Sequence, residues 1–366
     1  MEIRRSQLPG PELQKEVSGD LTVLLQGAVN AANIDHVLQS IAMWRQAYPG
    51  AALHFCASTL GEAIDEGASS VRRPEKRNEE VRQRELLISQ VSTVVDHFSV
   101  ASYQSALPTL KFDSGPNNCN RMIAAAKRGL KNVTSRFVLR CRYDLFIDDI
   151  TACLNDYALL DRKGIQPDLF DWPIAISPYF TLNPLLLEKL PYHVSDWFHF
   201  GLTSDVKALW DVDFFSARDA QYYQMYPHAA HSGQIEKMFR ARLSPEQYLF
   251  NSVAVKKGYP ALRYHNEPGH EGCFFDLLRR NFVVVDHRAV GMTFQKYDRV
   301  KDWLQSDYQS INHEQWSELV RLGPAAWRRR LWGKRLVVAY YRNCRPRHLY
   351  RKWKRSRIVR TAWWLR

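Results

Sequence analysis

RFVLRCRYDLFI, residues 136–147, is the stretch that most clearly indicates the fold of this 366-residue chain. Its apolar run is typical of a buried β-strand. Ligands of open parallel sheets bind beyond the carboxyl ends of the strands, so a polar cluster at such an end predicts a binding site. The charged residues at the end of this strand are Arg140, Arg142, Asp144, Asp148 and Asp149.

The segments that precede this strand predict a parallel sheet. LTVLLQGAV (21–29) is a short apolar run, which is typical of a buried parallel strand. IDHVLQSIAMWRQA (34–47) has apolar residues at helical spacing and stops at a turn signal, and ALHFCAST (52–59) predicts a second strand. This β-α-β order favours parallel pairing with right-handed connections.

The rest of the chain continues the alternation of strands and helices. We therefore predict an α/β fold in which a mostly parallel, Rossmann-type sheet is flanked by helices. The charged stretch 71–85 predicts a solvated helix or a solvated loop that leaves the core. The further predicted elements are a strand at 92–98, a helix at 121–131, a strand within 195–201 followed by a helix from Thr203 or Ser204, a helix from Pro245 to about Lys257, and strands at 261–265 and 282–287.

The positive charge of the sequence is concentrated at its C-terminal end. The chain has 51 Lys and Arg against 38 Asp and Glu, but residues 321–366 contain 16 of the basic residues and none of the acidic ones. The remainder, with 35 basic and 38 acidic residues, carries a net charge of −3, as an ordinary globular protein does. We predict a polar leader over 1–20, a globular domain over 21–320 and a basic helical tail over 321–366.

Residues 324–366 mix Lys and Arg with Trp and Tyr side chains. Basic groups are attracted to anionic lipid and aromatic rings favour the headgroup level, so this stretch predicts an anchor on an anionic membrane surface. A nucleic-acid-binding protein is a competing interpretation that rests on this stretch alone. Because the body contains no nucleic-acid-binding module, we expect no nucleic acid partner; a solvated tail is the third interpretation.

No segment of the sequence has the features of a signal peptide or a membrane span. MEIRRSQLPGPELQKEV has charges without an apolar run behind them, and the longest apolar stretches fall far short of the roughly 20 residues that span a bilayer. The six cysteines are scattered without metal-site or disulfide spacing, which favours a reducing compartment. We expect a cytoplasmic protein that is peripheral on the inner face of the inner membrane.

Five motifs make the sequence resemble a known group of enzymes. They resemble the WavE-type lipopolysaccharide synthesis proteins and the GT-A type of nucleotide-sugar glycosyltransferase over roughly residues 20–290. The resemblance implies a GT-A-like fold, and transfer of a sugar from a nucleotide-sugar donor to a lipid-linked oligosaccharide acceptor in lipopolysaccharide core or surface polysaccharide biosynthesis. Phosphate-loop, dinucleotide, nucleophile-elbow and zinc-protease motifs are missing from the sequence. The five motifs are LLQGAV, NCNRMIAAAKRGL, FVLRCRYDLFI, HVSDWFHFGLTSDVKALW and SPEQYLF.

The resemblance implies a donor site at the end of strand 136–147. GT-A enzymes hold a divalent cation there with an Asp-x-Asp motif, whereas this chain has Arg142, Tyr143 and Asp144 and keeps only the second acid. Asp144 is therefore the candidate ligand for Mg²⁺ or Mn²⁺, or for the donor ribose. Arg140 or Arg142 could instead bind the donor diphosphate, because guanidinium groups pair bidentately with phosphate oxygens. A solvated aspartate at a strand end is the alternative that needs no ligand.

Two further pairs of residues are candidates for donor binding. Gln26 and Gly27 close the first strand, where GT-A enzymes contact the donor base and ribose, and Gly27 would let the backbone approach the ligand closely. Asn120 and Arg121 begin the helix before strand 136–147 and could reach the sugar or the diphosphate. A tight turn and a helix cap are the corresponding explanations without a ligand.

The resemblance also implies residues for the acceptor and for catalysis. Asp196, Trp197 and Gly201 match the glycine loop that shapes the acceptor and donor-sugar pocket, although core packing competes for the aromatic residues. Glu246 lies where inverting enzymes have the carboxylate that deprotonates the acceptor hydroxyl, although Gln247 follows it. Asp196 and Glu246 both remain candidates for the general base.

Three late histidines are candidates for a metal ligand, although the glycine and proline residues around HNEPGHEGC favour a plain turn. A non-catalytic protein of the same fold, binding a sugar nucleotide or glycan within an assembly complex, is the alternative function. The single acid at Asp144 and the amide at Gln247 keep this alternative open. The histidines are His265, His270 and His287.

Overall fold

A computed structural model describes residues 10–60, 74–103, 106–112, 115, 117–294 and 308–343. Within these residues a seven-stranded sheet and a two-stranded ribbon are surrounded by helices. The strands are β1 (Leu21–Val29), β2 (Ala52–Leu60), β3 (His97–Val100), β4 (Phe137–Arg142), β5 (Leu145–Phe146), β6 (Ile174–Ile176), β7 (Phe198–Leu202), β8 (Phe282–Val284) and β9 (Thr293–Phe294). The helices are α1 (Gly10–Gly19), α2 (Ile34–Ala47), α3 (Pro74–Ser92), α4 (Cys119–Lys131), α5 (Leu154–Arg162), α6 (Thr203–Trp210), α7 (Ala217–Ala220), α8 (Tyr222–Met225), α9 (Pro245–Lys256), α10 (Glu271–Asn281), α11 (His313–Leu322), α12 (Pro324–Arg330) and α13 (Trp332–Asn343).

The large sheet has the strand order β3-β2-β1-β4-β7-β6-β8. β1 pairs in parallel with both β2 and β4, and β2 pairs in parallel with β3, whereas β7 runs antiparallel to β4 and β6. The sheet is therefore mostly parallel and flanked by helices, which confirms the predicted α/β fold. Because β7 is reversed, its first residues lie beside the carboxyl ends of β1 and β4.

Close packing of α4 on the sheet holds the start of this helix over the same edge. Gly129 lies so near β1 that an added Cβ would come within 2.8 Å of a methyl group of Leu24. Ile123 and Ala126, one helical turn apart, are fully buried on the same side of the helix. The amino end of α4 is consequently fixed beside the strand ends that were predicted to form the site.

The structure corrects three predicted elements. The strand predicted at 92–98 is wrong in its first half, because α3 continues to Ser92 with Val91 buried, and β3 begins at His97. The strand predicted at 261–265 is a turn, in which the backbone NH of Leu262 donates to a side chain of α9 instead of to a strand. The strand predicted at 136–147 ends at Arg142, and a turn separates it from β5.

The two ends of the chain extend the globular body where they are described. Val17 of α1, within the predicted polar leader, is fully buried, and Trp327 of α12, within the predicted tail, is buried as well. The remainder of the predicted tail, from residue 344 onward, lies outside the described residues. Among the helices of the described ranges, none is long and apolar enough to cross a membrane.

Candidate active site

A cavity of about 440 Å³ opens at the carboxyl ends of β1, β2 and β4. The backbone brings its walls together: the NH of Arg142 donates to the carbonyl of Trp197, and the NH of Tyr143 donates to the carbonyl of Gln26. The predicted residues from three separate regions of the sequence therefore meet in one place. The charged or amide-bearing side chains among those that line the cavity are Gln26, Asn118, Arg121, Arg140, Arg142, Asp144 and Asp196.

Arg140 places a buried positive charge beside the cavity. Only 1% of the residue is exposed, its Nε donates to Oε1 of Gln26 over 2.7 Å, and its NH1 donates to the carbonyl of Asp196. The guanidinium also lies 4.4 Å from the centre of the Trp210 ring, a cation–π contact. Burial lowers the pKa of Arg140 to about 10, so the group remains charged at neutral pH.

Gln26 presents a hydrogen-bond donor that has no partner within the described chain. Arginine can only donate, so the contact with Arg140 fixes Oε1 of Gln26 on that side and turns Nε2 away from it. Nε2 is buried and unpaired among the residues that the structure describes. Buried polar groups are rarely left without a partner, and an orphaned donor on a cavity wall points to a ligand with an acceptor oxygen.

Gly27 serves packing at the cavity wall. A Cβ at this position would lie 2.1 Å from a ring carbon of Tyr143, so only glycine accommodates the ring. The Tyr143 hydroxyl accepts a hydrogen bond from Asn33 over 3.1 Å, and its carbonyl accepts one from Ser40 over 2.6 Å. The predicted role of Gly27 in approaching a ligand stays a prediction, whereas its contact with Tyr143 is direct.

Arg142 and Asp144 form a bidentate ion pair. Nε of Arg142 lies 2.8 Å from one carboxylate oxygen of Asp144, and NH2 lies 2.5 Å from the other. Both oxygens that a cation would need are engaged by a positive group, so Asp144 does not fit the predicted role of ligand for Mg²⁺ or Mn²⁺. Across the described part of the chain, no three His, Cys, Asp or Glu side chains are grouped as a metal site would need.

The two residues predicted at the start of α4 have different surroundings. Arg121 lines the cavity, and its NH1 donates to the side chain of Asn118 over 3.2 Å. Asn120 is buried, and its amide group exchanges hydrogen bonds with the backbone NH and carbonyl of Phe215, at 2.6 and 3.0 Å. Its second amide proton goes to Tyr103, so Asn120 tethers a loop, and the donor-binding role predicted for it stays a prediction that these contacts do not favour.

Asp196 and Glu246 are neighbouring carboxyl groups, of which Asp196 is buried and Glu246 is partly buried. Burial, followed by the negative charge of Glu246, raises the pKa of Asp196 to about 6, although Arg140 and Arg142 act in the opposite direction. Burial also raises the pKa of Glu246. A raised pKa makes a carboxylate a stronger base, so both remain suited to general-base chemistry.

His193 is a residue of this site that the sequence did not reveal. Its Nδ1 donates to the carbonyl of Phe180 over 2.7 Å, and its Nε2 lies 3.4 Å from a carboxylate oxygen of Glu246. Burial lowers the pKa of His193 to about 4, so the ring is neutral and its Nε2 lone pair faces Glu246. The only available signal was its place three residues before Asp196 in the HVSDWF motif.

Backbone strain surrounds His193. Phe180 and Tyr192 have φ angles of 63° and 60°, a left-handed conformation that side-chain-bearing residues rarely adopt. Phe180 supplies the carbonyl that orients the His193 ring, and Tyr192 precedes it directly. Strained residues persist where the surrounding structure enforces them, and they cluster at functional sites.

Gln247 holds the loop that carries His193. Its Nε2 donates to the carbonyls of Pro191 and His265, each over 2.7 Å, while its Oε1 accepts from the backbone NH of Ser244 in a capping box. A carboxylate could not donate to these two carbonyls. The amide at this position is therefore a structural requirement of the loop.

The two residues predicted for the acceptor pocket are not arranged for that role. Trp197 is 3% exposed and stacks on Tyr179 with ring centres 5.5 Å apart, so it offers no open face for a sugar. Gly201 pairs with Val138, near the opposite end of β4 from the cavity, and packs against Ile174. The antiparallel direction of β7 carries Gly201 away from the cavity, so the acceptor-pocket role of both residues stays a prediction that this arrangement does not favour.

The late histidines have separate partners. His265 is fully buried, bonds the Tyr223 hydroxyl over 2.8 Å, and has a pKa lowered to about 3 by burial. His270 lies 3.6 Å from Glu267, and His287 lies 3.8 Å from the neighbouring Asp286. None of the three lines the cavity.

The sequence and the structure were each compared with those of known proteins. The sequence model of a family described as WavE lipopolysaccharide synthesis matches residues 109–354. No curated protein matches the sequence. Among solved structures, galactosyltransferase LgtC in complex with donor and acceptor sugar analogues aligns at 13% identity and a TM-score of 0.34, covering 84% of this chain and 100% of that chain. An active-site mutant of LgtC aligns at 12% identity and a TM-score of 0.35, with 83% and 99% of the two chains covered.

Proposed function

Since this chain belongs to the WavE lipopolysaccharide synthesis family, we propose that it is a glycosyltransferase that moves a sugar from a nucleotide-sugar donor to a growing lipopolysaccharide glycan. The observation that carries the proposal is the cavity at the carboxyl edge of the sheet, with buried Arg140 and the unpaired donor of Gln26 on its wall. A ligand with anionic and acceptor oxygens would pair with the Arg140 charge and would accept a hydrogen bond from Gln26.

The cavity suits the donor. Its volume of about 440 Å³ is within the range of small-molecule sites. Three arginines line it, namely Arg121, Arg140 and Arg142, so a diphosphate would find guanidinium donors on more than one side. These side chains would also stabilise the negative charge that develops on the diphosphate as it leaves the sugar.

The carboxyl groups beside the cavity suit the transfer step. We assign the general base to Glu246, because His193 presents an Nε2 lone pair that can accept a hydrogen bond from the protonated acid. Asp196 lines the donor cavity itself, which supports a contact with the donor sugar. In this scheme Glu246 removes the proton of the acceptor hydroxyl while the nucleoside diphosphate leaves.

Replacing Arg121 by Met tests donor binding. A charged hydrogen bond is worth about 1.5–3 kcal/mol, so we expect the Kd for the preferred nucleotide sugar to rise by about 10- to 100-fold. The measurement is a thermal-shift and calorimetric titration with sugars linked to UDP, GDP, CDP and ADP. Arg128→Met is the matched control, because Arg128 is an exposed arginine on the same helix that does not line the cavity. Failure of every nucleotide sugar to bind the unaltered protein would overturn the proposal.

We further propose that α13 holds the protein on an anionic membrane surface, where a lipid-linked oligosaccharide acceptor is found. Trp332, Leu336 and Tyr340 follow one another at a spacing of four residues and are 64%, 51% and 61% exposed. They share one face of the helix. Basic residues on or just before this helix include Arg328, Arg329, Arg330, Lys334 and Arg335. An apolar face with adjoining basic groups is the pattern of an interfacial helix.

Replacing Trp332 and Leu336 by Glu is expected to reduce membrane binding. Each buried side chain of this size contributes about 1.5–3 kcal/mol, so the combined loss should lower the partition coefficient by at least about 100-fold. The measurement is cosedimentation with vesicles of phosphatidylcholine, with and without phosphatidylglycerol. Leu86→Glu, at a leucine of α3 that is 59% exposed, controls for the added charge. Unchanged sedimentation of the double variant would contradict the proposed contact of α13 with the membrane.

A further inference from the structure

The Arg142–Asp144 pair has a consequence for how the donor diphosphate is held. The two side chains are only partly buried, 28% and 21% exposed, and they border the cavity. Arg142 also lies over the ring of Trp197, with 5.7 Å between the guanidinium carbon and the ring centre. The guanidinium is therefore anchored on an aromatic face beside the cavity, and a carboxylate occupies its fork.

The Arg142–Asp144 ion pair disfavours the binding of a divalent cation at this position. The positive charge of Arg142 already neutralises Asp144 at contact distance, and a cation would have to displace a bidentate partner while standing next to that charge. The other carboxyl group on the cavity wall, Asp196, also has Arg140 and Arg142 as neighbours. Three arginines and two aspartates line the cavity, so its walls favour an anion more than a cation.

A diphosphate, in contrast, can replace the Asp144 carboxylate. Carboxylate and phosphate oxygens fit the same guanidinium fork, and a diphosphate carries more charge than one carboxylate. Arg140 cannot exchange partners in this way, because its hydrogen bonds to Gln26 and Asp196 and its ring contact with Trp210 hold it in place. Arg142 can therefore exchange one anionic partner for another, whereas the partners of Arg140 are neutral groups of the protein that hold it in place.

We propose that Arg142 binds the donor diphosphate directly, in exchange for Asp144, and supplies the charge neutralisation that a divalent cation supplies in Asp-x-Asp enzymes. The inference rests on the proposed function, since it needs a nucleotide donor in this cavity. It makes Asp144 a competitor of the donor for Arg142. Removing the Asp144 charge is then expected to leave nucleoside diphosphate binding intact or to strengthen it.

The test is calorimetric titration of UDP, GDP, CDP and ADP into the full chain, in EDTA and in MgCl₂ or MnCl₂. For the nucleotide that binds, we expect Kd values that agree within about twofold between EDTA and metal, since no cation bridges the contact. Asp144→Asn should bind with an equal or lower Kd. Arg142→Met should raise Kd by about 10- to 100-fold in both buffers, as loss of a charged bidentate contact predicts.

The outcomes separate this inference from the proposed function. Binding that needs metal, or that is lost in Asp144→Asn, would overturn the inference and leave a nucleotide-binding protein. Absence of binding under every condition would contradict the proposed function itself. Arg142→Lys keeps the charge and loses the fork, so if the methionine variant does not fold, the lysine variant should show a raised Kd in both buffers. An unchanged Kd in that variant would contradict a bidentate contact.

Discussion

Glu246→Gln is expected to lower the turnover number by about 10²- to 10⁴-fold, the usual contribution of a general base. An amide has the shape of the carboxyl group but cannot take the proton of the acceptor hydroxyl. Donor binding should be preserved, because Glu246 does not line the donor cavity. The measurement is the steady-state rate of nucleoside diphosphate release, together with the Kd for the donor. Glu271→Gln is the matched control, since Glu271 also lies in the first turn of a helix, α10.

The pH dependence of the rate in variants of Glu246 and Asp196 shows which of the two is the general base. A base works in its ionised form, so the rate should rise with pH through the raised pKa of the base and fall on acidification. The charge of Glu246 helps raise the pKa of Asp196 to about 6, so Glu246→Gln should lower the pKa of Asp196. Asp196→Asn should mainly raise the KM for the donor. If Asp196→Asn loses turnover and Glu246→Gln keeps it, the two assignments are reversed.

Arg140→Met is expected to cost stability and donor binding together. The change leaves Oε1 of Gln26 and the carbonyl of Asp196 without their donor in a buried place. Each orphaned buried acceptor costs about 1–3 kcal/mol, and relief of the buried charge offsets part of this, so we expect a loss of about 2–4 kcal/mol in the free energy of unfolding.

The measurement for Arg140→Met is urea unfolding followed by circular dichroism, with the Kd for the donor measured on the folded protein. We expect Kd to rise by at least about 100-fold, because the fixed positive charge and the orientation of the Gln26 amide are lost together. Arg128→Met, at an exposed position of α4, should change neither quantity. Wild-type stability and affinity in Arg140→Met would show that the buried guanidinium does not organise this site.

The sheet could be predicted from sequence because its central strands are continuous apolar runs. β1 (Leu21–Val29) begins and ends where the residue pattern indicated, and β4 places Arg140 and Arg142 at the predicted edge. Local patterns such as these depend on neighbouring residues, which a sequence shows directly. The meeting of Gln26 and Arg142 followed from the rule that parallel strands end at one edge.

The direction of β7 could not be predicted, and it determines which of Asp196 and Gly201 lies at the cavity. A strand that runs antiparallel to β4 brings its start to the cavity, so Asp196 is at the site and Gly201 is not. Which neighbour a strand pairs with depends on contacts that are distant along the chain. For the same reason the contact of the Asn120 amide with the backbone of Phe215, 95 residues later, could not be predicted.

His193 and the Arg142–Asp144 pair are two features of the site that the sequence analysis did not predict, for different reasons. The orientation of His193 depends on the carbonyl of Phe180 and on Glu246, neither of which a motif describes. The ion pair joins residues two positions apart, where opposite charges in the sequence already permitted a local contact. A resemblance to metal-binding motifs favoured Asp144 as a ligand, and the side-chain geometry assigns it to Arg142 instead.

Transfer of a sugar is the central claim, and the most direct measurement follows both products of the reaction. Purified protein is incubated with the nucleotide sugar that binds and with lipopolysaccharide acceptors from cells that lack this gene, while nucleoside diphosphate release and acceptor mass are recorded. The account predicts equal amounts of released nucleoside diphosphate and of acceptor that gains one sugar, with both reduced by about 10²- to 10⁴-fold in Glu246→Gln. Tight nucleotide-sugar binding with no gain of sugar on any acceptor would contradict it and indicate a non-catalytic binding protein.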